Sequence, residues 1–526
     1  MVRFSNTRSF FFKTIPFFLF FICLVIFYGC VPGLTQHFNI FDNANDLNEK
    51  GEYLRAAEAF DRIIELEESK SDKDEQILFA AYLGAGNSYR LANVPNKAIH
   101  HYKVVITKYR SLQQDENIAT INELIGNLYY QTNEFENALE YYKSALEMNV
   151  DAERKMVLLN SIIIVNFEIG EYEKAILSVD EFIKVAEASD NTRLSITGNE
   201  MARNHYFIIA TTCMDSTLAL KSADKMVELY KSSGDSASVA DGYKDRGIIL
   251  RGLNKMEAAI DNFQIANNIY TKFGNEEKSI EMLKEIGGLY MYEGMGYFNT
   301  KQYHNAISWC NKSIEVHTLL ADTNSIGDSY TLIIFSFIGM GTPNDGIKYA
   351  EAAYKISSGM TDNELRYNLL SGLNTLYTSL GNYTKAQICL TSAIPVAAAL
   401  NDKGSTADLY QDLGYNLSML GKYLDAKDYL DKAYQLWEVL NDSSGMAVTL
   451  KFIGEIYRDM GYLDLAENNL RKSLEISFSR GDSSNCATVL SDMSLVFVDR
   501  GQYHHAEEVC LRALEFDKDN VAITYN

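Results

Sequence analysis

Residues 409–437 read LYQDLGYNLSMLGKYLDAKDYLDKAYQLW and contain one complete helix–turn–helix pattern. Leucines recur at the spacing of one helix face over Leu409–Leu417, which predicts a first helix. Gly421 can adopt the left-handed conformation in which many helices end. The second helix carries apolar residues at the same helical spacing: Ala426, Leu430, Ala433 and Trp437. Because so short a turn makes the two helices cross closely, small residues are required at the crossing, and we assign Gly414 and Ala426 to it.

Two columns of small residues repeat this pattern every 40 residues. The first column occupies the second helix: Ala306, Gly346, Ala386, Ala426, Ala466 and Ala506. The second column occupies the turn: Gly341, Gly381, Gly421, Gly461 and Gly501. A single compact core does not require small residues at a constant spacing along the sequence. The constant spacing therefore predicts one supersecondary unit that is stacked many times.

The repeated pattern L-G-x-x-Y, G-x-Y, A-x-x-x-[FYL]-x-x-A resembles the tetratricopeptide repeat. Marker residues of the second helix recur in twelve copies: Ala56, Ala98, Ala138, Ala175, Ala219, Ala259, Ala306, Gly346, Ala386, Ala426, Ala466 and Ala506. The small residue of the first helix recurs as Gly86, Gly126, Gly247, Gly294, Gly414 and Gly454. The markers lie 37 to 47 residues apart and mostly 40, which is similar to the long-helix variant of bacterial signalling regulators and polarity scaffolds. The resemblance implies an all-α fold, a right-handed superhelical α-solenoid of about twelve repeats.

We expect this solenoid to occupy residues 39–520, after a short linker at 31–38. Residues 521–526 match the start of a further repeat or form a short cap. Alternation of β-branched residues between turn clusters does not occur, so no strands are predicted. Turns such as Asn401-Asp402 replace the proline that ends the family's usual repeat, and the whole chain has five prolines.

The sequence of residues 1–30 predicts an export signal. Three basic residues within the first 13 precede an apolar run at 15–28, which is short for a span of about 20 residues and fits a signal-peptide core. Gly29-Cys30 resembles the lipoprotein cleavage box of bacteria, which implies lipidation of Cys30 and anchoring at the cell-envelope membrane, on the periplasmic side or the surface. An ordinary cleaved signal and an uncleaved anchor extending to Val31 are the alternatives.

The sequence contains no catalytic motif. Zinc-protease, nucleophile-elbow, phosphate-loop and dinucleotide patterns are all missing, so we predict no enzyme activity, no cofactor and no metal site. The cysteines beyond Cys30 form no C-x-x-C pair and are predicted to be free and buried. The pairs His100-His101 and His504-His505 are predicted to be solvated, and Tyr503 is predicted to pack in the core with the other repeat tyrosines.

In tetratricopeptide proteins the first helices line a concave groove, and the resemblance implies that a peptide or protein partner binds there. The corresponding positions in this chain are Asn87, Arg90, Asn127, Tyr130, Lys244, Arg251, Tyr415, Lys451, Glu455 and Arg458. Asn87 and Asn127 match the family's groove asparagine, whose amide both donates to and accepts from a peptide backbone. Leu83 and Glu123 stand where the family has lysine-type contacts, so a chaperone C-terminal tail is not the expected ligand.

The net charge of −22 argues against a nucleic-acid partner, because phosphate binding requires Lys and Arg on one face. The charge keeps a long surface soluble or selects basic peptide partners. The sequence therefore predicts an exported, non-catalytic scaffold for protein–protein interactions that meets the membrane through its N-terminus only. The alternative is an extracytoplasmic sensor module of a signal-transduction or transcription-regulatory protein, truncated if residues 521–526 begin a further repeat.

Overall fold

The computed structural model describes residues 35–108, 110 and 115–516. Within these residues the chain forms 24 α-helices and one short 3-10 turn, and no β-strand. The predicted export signal at 1–30 and the predicted cap at 521–526 lie outside the described residues. No helix in the described part of the chain is both long and apolar enough to cross a membrane.

The chain divides into two compact units, and unit 1 comprises residues 1–232. The first helix of its described residues begins at Thr35, within the stretch predicted to be a linker. The helices of unit 1 are α1 (Thr35–Glu49), α2 (Tyr53–Glu68), α3 (Glu75–Leu91), α4 (Pro95–Lys108), α5 (Asp115–Gln131), α6 (Phe135–Leu146), α7 (Ala152–Glu168), α8 (Tyr172–Glu187), α9 (Thr192–Thr212) and α10 (Ser216–Ser232).

Unit 2 comprises residues 233–526. The 3-10 turn, Pro343–Gly346, directly precedes α16. The helices of unit 2 are α11 (Ser236–Gly252), α12 (Met256–Lys272), α13 (Glu276–Asn299), α14 (Tyr303–Leu319), α15 (Thr323–Gly339), α16 (Ile347–Ser357), α17 (Asn363–Ser379), α18 (Tyr383–Ala399), α19 (Lys403–Met419), α20 (Tyr423–Leu440), α21 (Ser443–Asp459), α22 (Leu463–Ser479), α23 (Ser483–Asp499) and α24 (Tyr503–Phe516).

Within each unit the helices pair in chain order as hairpins, each with an odd-numbered first helix and an even-numbered second helix. Every marker residue predicted from the sequence is buried on a second helix, except Gly346, which is buried in the 3-10 turn. The predicted all-helical repeat fold is therefore confirmed.

Glycines of the first helices lie where the two helices of a hairpin cross. A Cβ atom built on Gly414 would be 2.6 Å from Leu430 Cγ and 3.0 Å from the Ala426 carbonyl oxygen. In unit 1, a Cβ atom on Gly126 would be 2.6 Å from the Tyr142 ring. Because interiors are packed at crystal-like density, the neighbouring side chain occupies the volume that the glycine leaves. The predicted role of small residues at the crossing is confirmed.

The turns are encoded by residues that end one helix and begin the next. The turn glycines have positive φ, for example +73° at Gly421 and +67° at Gly381, a conformation that glycine adopts without steric cost. Between hairpins, Asn441 has φ +54° and the side chain of Asp442 accepts hydrogen bonds from the backbone of Ser444 and Gly445. Such an aspartate satisfies orphan N–H groups at the start of the next helix.

Hydrogen bonds of a recurring tyrosine join one hairpin to the next. The Tyr129 hydroxyl accepts from Lys103 Nζ at 2.7 Å, and the Tyr290 hydroxyl accepts from Gln264 Nε2 at 2.9 Å. The Tyr206 hydroxyl donates to Asp180 of the preceding second helix. In each case a first helix is tied to the second helix before it, by residues 26 apart in sequence. We call these contacts tyrosine locks.

Two sequence predictions about individual side chains are wrong. His101 is 8% exposed, because its ring stacks on Tyr89 at 5.5 Å and its Nε2 lies 3.1 Å from Asp61 Oδ1. Tyr503 is 70% exposed, since among the described residues no helix follows α24 to cover it. Four cysteines are free and buried as expected, namely Cys213, Cys310, Cys389 and Cys486, whereas Cys510 is free but only half-buried.

Candidate functional site

All ten predicted groove residues lie on first helices and are half-buried. Four are on α3 and α5 of unit 1, and six are on α11, α19 and α21 of unit 2. First helices of neighbouring hairpins contact each other directly, as α7 and α9 do in unit 1 and as α19, α21 and α23 do in unit 2. Within each unit, a partner would therefore meet a surface built from adjacent first helices.

The two predicted groove asparagines have partners inside their own hairpins. Asn87 Oδ1 accepts from the Tyr102 hydroxyl at 2.7 Å, and Asn127 Oδ1 accepts from the Tyr142 hydroxyl at 2.7 Å. The Asn127 side chain also hydrogen-bonds Glu123, whose pKa is raised by burial. Each asparagine carbonyl thus satisfies a buried tyrosine, which leaves mainly amide N–H groups to offer a partner.

Most cationic residues of the predicted set are neutralised by acids of the same surface. Lys244 Nζ lies 3.9 Å from Glu281, and Arg251 forms an ion pair with Glu285, both on the following first helix. In unit 1 a comparable pair joins Glu123 of α5 to Arg154 of α7 at 2.7 Å. These cations hold neighbouring hairpins together.

Three predicted residues of α21 form one cluster with an aspartate that the sequence reasoning missed. Lys451 Nζ is 3.2 Å from Glu455, and the Glu455 side chain hydrogen-bonds Asp492 on α23. Burial, then the adjacent Glu455 charge, raises the pKa of Asp492 to about 7, although Lys451 and Arg458 oppose the shift. Asp492 and Glu455 thus share a site in which two negative charges are unfavourable.

A second carboxyl group with a raised pKa, that of the half-buried Asp412, lies on α19. Asp412 Oδ2 accepts from Asn374 Nδ2 of α17 at 2.9 Å. Burial, then the nearby Asp408 charge, raises the pKa of Asp412 to about 6. Burial also raises the pKa of Asp408 and that of Asp328 on α15.

We call these groups the carboxyl row: Asp328, Asp408, Asp412, Glu455 and Asp492. The row lies on α15, α19, α21 and α23, all first helices of unit 2. Asp328 and Asp408 are 80 residues apart, as are Asp412 and Asp492. That spacing, two repeats, is the sequence signal that could have revealed the row.

The charge of the carboxyl row is complementary to that of a cationic group. A buried carboxylate that lacks a full positive partner gains most from an arriving ammonium or guanidinium group. The described residues contain no group of three or more histidines, cysteines and acids placed to hold a metal ion.

Aromatic side chains accompany the row. The Tyr415 ring lies 5.5 Å from Phe452 on the next first helix, and the Lys451 ammonium lies 4.4 Å from the Phe452 ring. Tyr415, Lys451 and Glu455 are thereby brought into one neighbourhood. Arg458 is half-buried beside them and pairs with Asp459 at 2.8 Å.

The two units match different protein families. Residues 365–439 and 445–519, in unit 2, match the tetratricopeptide repeat family. Residues 40–214, in unit 1, match the family described as soluble NSF attachment protein, SNAP. The chain is therefore an all-helical repeat protein that contains tetratricopeptide repeats. No curated protein matches the chain.

Solved structures of helical repeat proteins resemble parts of the chain. BtubC (BKLC) from P. vanneervenii is 18% identical, over 41% of this chain and 91% of that protein, with a TM-score of 0.35. The apo form of RapI is 16% identical, over 53% of this chain and 97% of that protein, with a TM-score of 0.35. A Rap protein complexed with Competence and Sporulation Factor is 14% identical, over 71% and 99%, with a TM-score of 0.31.

Proposed function

We propose that the chain is a non-catalytic scaffold that binds a basic segment of a protein or peptide partner along the first helices of unit 2. The observation that carries this proposal is the carboxyl row, a set of half-buried and exposed acids on first helices in which burial and adjacent carboxyl groups raise the pKa of Asp412 and that of Asp492. The overall charge of −22 adds long-range attraction for the same class of partner. The 40-residue spacing supports the long-repeat variant of the tetratricopeptide fold.

Binding of a basic partner would be coupled to proton release. A Lys or Arg side chain placed near Asp412 or Asp492 favours the charged carboxylate and so lowers its pKa. Affinity is therefore expected to be higher at pH 8 than at pH 5, where more of the row is protonated. Since part of the attraction acts through solvent, affinity also falls as salt is added.

The experiment measures binding of a fluorescein-labelled peptide of eight lysines alternating with eight serines. The full chain, purified in mild detergent, is titrated against it by fluorescence anisotropy. The triple variant Asp408→Asn, Asp412→Asn, Asp492→Asn is expected to bind at least about tenfold more weakly, the equivalent of about 1.4 kcal/mol. These changes keep side-chain shape while they remove the charge.

A matched control removes the same number of charges elsewhere. Glu475, Glu507 and Glu508 are exposed on second helices, and their triple change to Gln is expected to leave affinity within about twofold after allowance for net charge. Equal weakening by both triple variants would mean that total charge, and not the carboxyl row, attracts the peptide. A native chain that binds no lysine peptide would refute the proposal.

Export and lipid anchoring form the second part of the proposal, and they are supported by the sequence of residues 1–30 alone. In a bacterial host fed radioactive palmitate, the native chain is expected to take up label and Cys30→Ser to lose it. Cys213→Ser, which changes a buried free cysteine, serves as the control and should stay labelled. An unlabelled native chain would contradict lipidation, and the mass of the mature N-terminus would then distinguish a cleaved signal from an uncleaved anchor.

A further inference from the structure

One first helix of unit 2 is longer than its neighbours. Helix α13 has 24 residues, whereas α11 has 17, a difference of seven. The position of the lock tyrosine shows that the extra residues of α13 lie between this tyrosine and the marker residue of the second helix. Tyr290 of the lock lies 16 residues before the marker Ala306, whereas Tyr129 lies nine residues before Ala138. Relative to the preceding hairpin, α13 therefore continues about 10 Å further, at 1.5 Å per residue.

Contacts between first helices also show that the end of α13 is displaced relative to α11. Thr378, one residue before the end of α17, hydrogen-bonds Asn416, three residues before the end of α19. Arg251, one residue before the end of α11, instead pairs with Glu285, which lies 14 residues before the end of α13. The last turns of α13 thus extend past α11. We call the C-terminal part of α13, residues 288–299, the step; its Leu289, Tyr290 and Gly294 are buried, and the other residues are exposed or half-buried.

The step carries exposed apolar side chains beside two clefts. Tyr292 is 59% exposed and Met295 is 43% exposed. One cleft, of about 470 Å³, is lined by Tyr292 together with residues that include Arg251, Met256 and Gly288. The other cleft, of about 350 Å³, is lined by Tyr292 and by residues at the end of α13 that include Met295 and Gly296. A large side chain of a partner could lie against Tyr292 in either cleft.

Two glycines of the step have no packing explanation. Gly288 and Gly296 lie four residues on either side of Tyr292, so all three share one helix face. A Cβ atom on either glycine would meet nothing within 4 Å, whereas one on Gly294 would be 2.9 Å from Cys310 Sγ. Glycine weakens a helix interior relative to alanine, and at both positions the open space would let a partner approach the helix backbone closely.

The charges around the step identify the kind of partner. Arg251 is neutralised by Glu285, and Lys284 is the exposed cation at the rim of the larger cleft. Glu293 lies on the step, and burial together with the charge of Glu257 raises its pKa. Among the described residues, neither Glu257 nor Glu293 has a cationic partner. A segment that brings a positive charge beside an apolar side chain complements this surface.

We propose that the step is the anchor site for a large apolar side chain of a basic peptide, with a flanking Lys or Arg placed beside Glu257 and Glu293. This inference rests on the proposed binding of a basic partner and adds where that partner is anchored. The next first helix, α15, carries Asp328, where the carboxyl row begins. Since packed helices lie about 10 Å apart, one peptide of 16 residues, up to about 50 Å long when extended, reaches from the step along the row.

The test compares two labelled peptides on the full chain in mild detergent. One is the alternating lysine–serine peptide, and in the other two serines near one end are replaced by phenylalanine. The phenylalanine peptide is expected to bind at least about tenfold more tightly, a gain of about 1.4 kcal/mol. Gly296→Leu is expected to remove that gain without lowering the melting temperature, because the glycine Cβ position is open and leucine favours a helix.

Tyrosine variants supply the matched control. Tyr292→Ala is expected to reduce the phenylalanine gain at least about fivefold, roughly 1 kcal/mol. Tyr503→Ala, which removes a tyrosine of comparable exposure on α24, is expected to leave the gain intact. Loss of the gain in both variants would overturn the assignment to the step.

The failures of the two proposals are distinguishable. If both peptides bind with equal affinity and Gly296→Leu changes neither affinity, the step is not an anchor. The carboxyl row would then still bind a basic partner. If neither peptide binds, both proposals are refuted. If sedimentation shows self-association of the native chain that Gly296→Leu abolishes, the step binds a second copy of this chain, and the peptide inference is wrong.

Discussion

Replacing Phe263 with alanine is expected to cost about 3–5 kcal/mol of unfolding free energy, the range for a large aromatic removed from a core. Phe263 of α12 is fully buried, and its ring fills the volume left by Gly247 of α11. A Cβ atom on Gly247 would be 2.6 Å from Phe263 Cε1, so Gly247→Leu should also destabilise, by about 1–3 kcal/mol through overpacking. Denaturant unfolding, with hydrogen exchange of α11 and α12 to localise the loss, measures both effects.

The double variant tests whether the two residues act through one shared volume. In Gly247→Leu with Phe263→Ala, the new leucine occupies part of the cavity, so the combined loss should be at least about 1 kcal/mol smaller than the sum. Phe478→Ala, at a position 68% exposed, is expected to cost less than about 0.5 kcal/mol. Strictly additive losses would contradict the close crossing of first and second helices.

The stability of the last hairpins is expected to depend on pH through the carboxyl row. In the folded chain, burial raises the pKa of Asp412 to about 6 and that of Asp492 to about 7, while an unfolded aspartate titrates near 4. Between these values the folded state binds more protons than the unfolded state, so these two groups lower the unfolding free energy as pH rises from about 4 to 7. Removing the ionisable group should therefore stabilise the chain at high pH.

Asp412→Asn is expected to raise the unfolding free energy by up to about 3 kcal/mol at pH 8, at 1.36 kcal/mol per pKa unit, and by much less at pH 4. Asparagine keeps an oxygen that can accept from Asn374. Thermal unfolding of the native chain and the variant at both pH values gives the difference directly. Asp425→Asn, an exposed position of α20, is the control and should show no pH-dependent gain. An Asp412→Asn chain with the native pH dependence would refute the assigned burial.

The fold could be predicted because its determinants are close together in sequence. The left-handed Gly421, the small Gly414 and the aspartate that caps the next helix all act within one 40-residue repeat. Each of these residue types recurs at the same position in several repeats, and this repetition makes it visible in the sequence. His101 shows the limit of this reasoning, because a single histidine on a helix does not reveal that Asp61 and Tyr89 of the preceding helices surround it.

The candidate site was predicted only in part. Repeat register selected Lys451, Glu455 and Arg458, which all lie on α21, but it did not select Asp492, because the importance of Asp492 depends on contact with the next hairpin. The roles predicted for Asn87 and Asn127 were also incomplete. Whether the Tyr102 and Tyr142 hydroxyls reach these asparagines depends on how closely the two helices of each hairpin cross. The step left a signal in the 47 residues between Ala259 and Ala306, but spacing alone does not locate the extra turns.

The inter-hairpin turns have a consequence for how such a chain evolves. Asn401 and Asn441 share the same φ of +54°, and Asp402 and Asp442 each cap the helix that follows. Excising residues 403–442 would join Asp402 to Ser443 and recreate an Asn-Asp-Ser junction identical to the one removed. Unequal recombination between neighbouring repeats can therefore add or delete a whole hairpin, and no new turn sequence is required. The gene would then change in length by steps of 40 codons, and each remaining junction would keep its geometry.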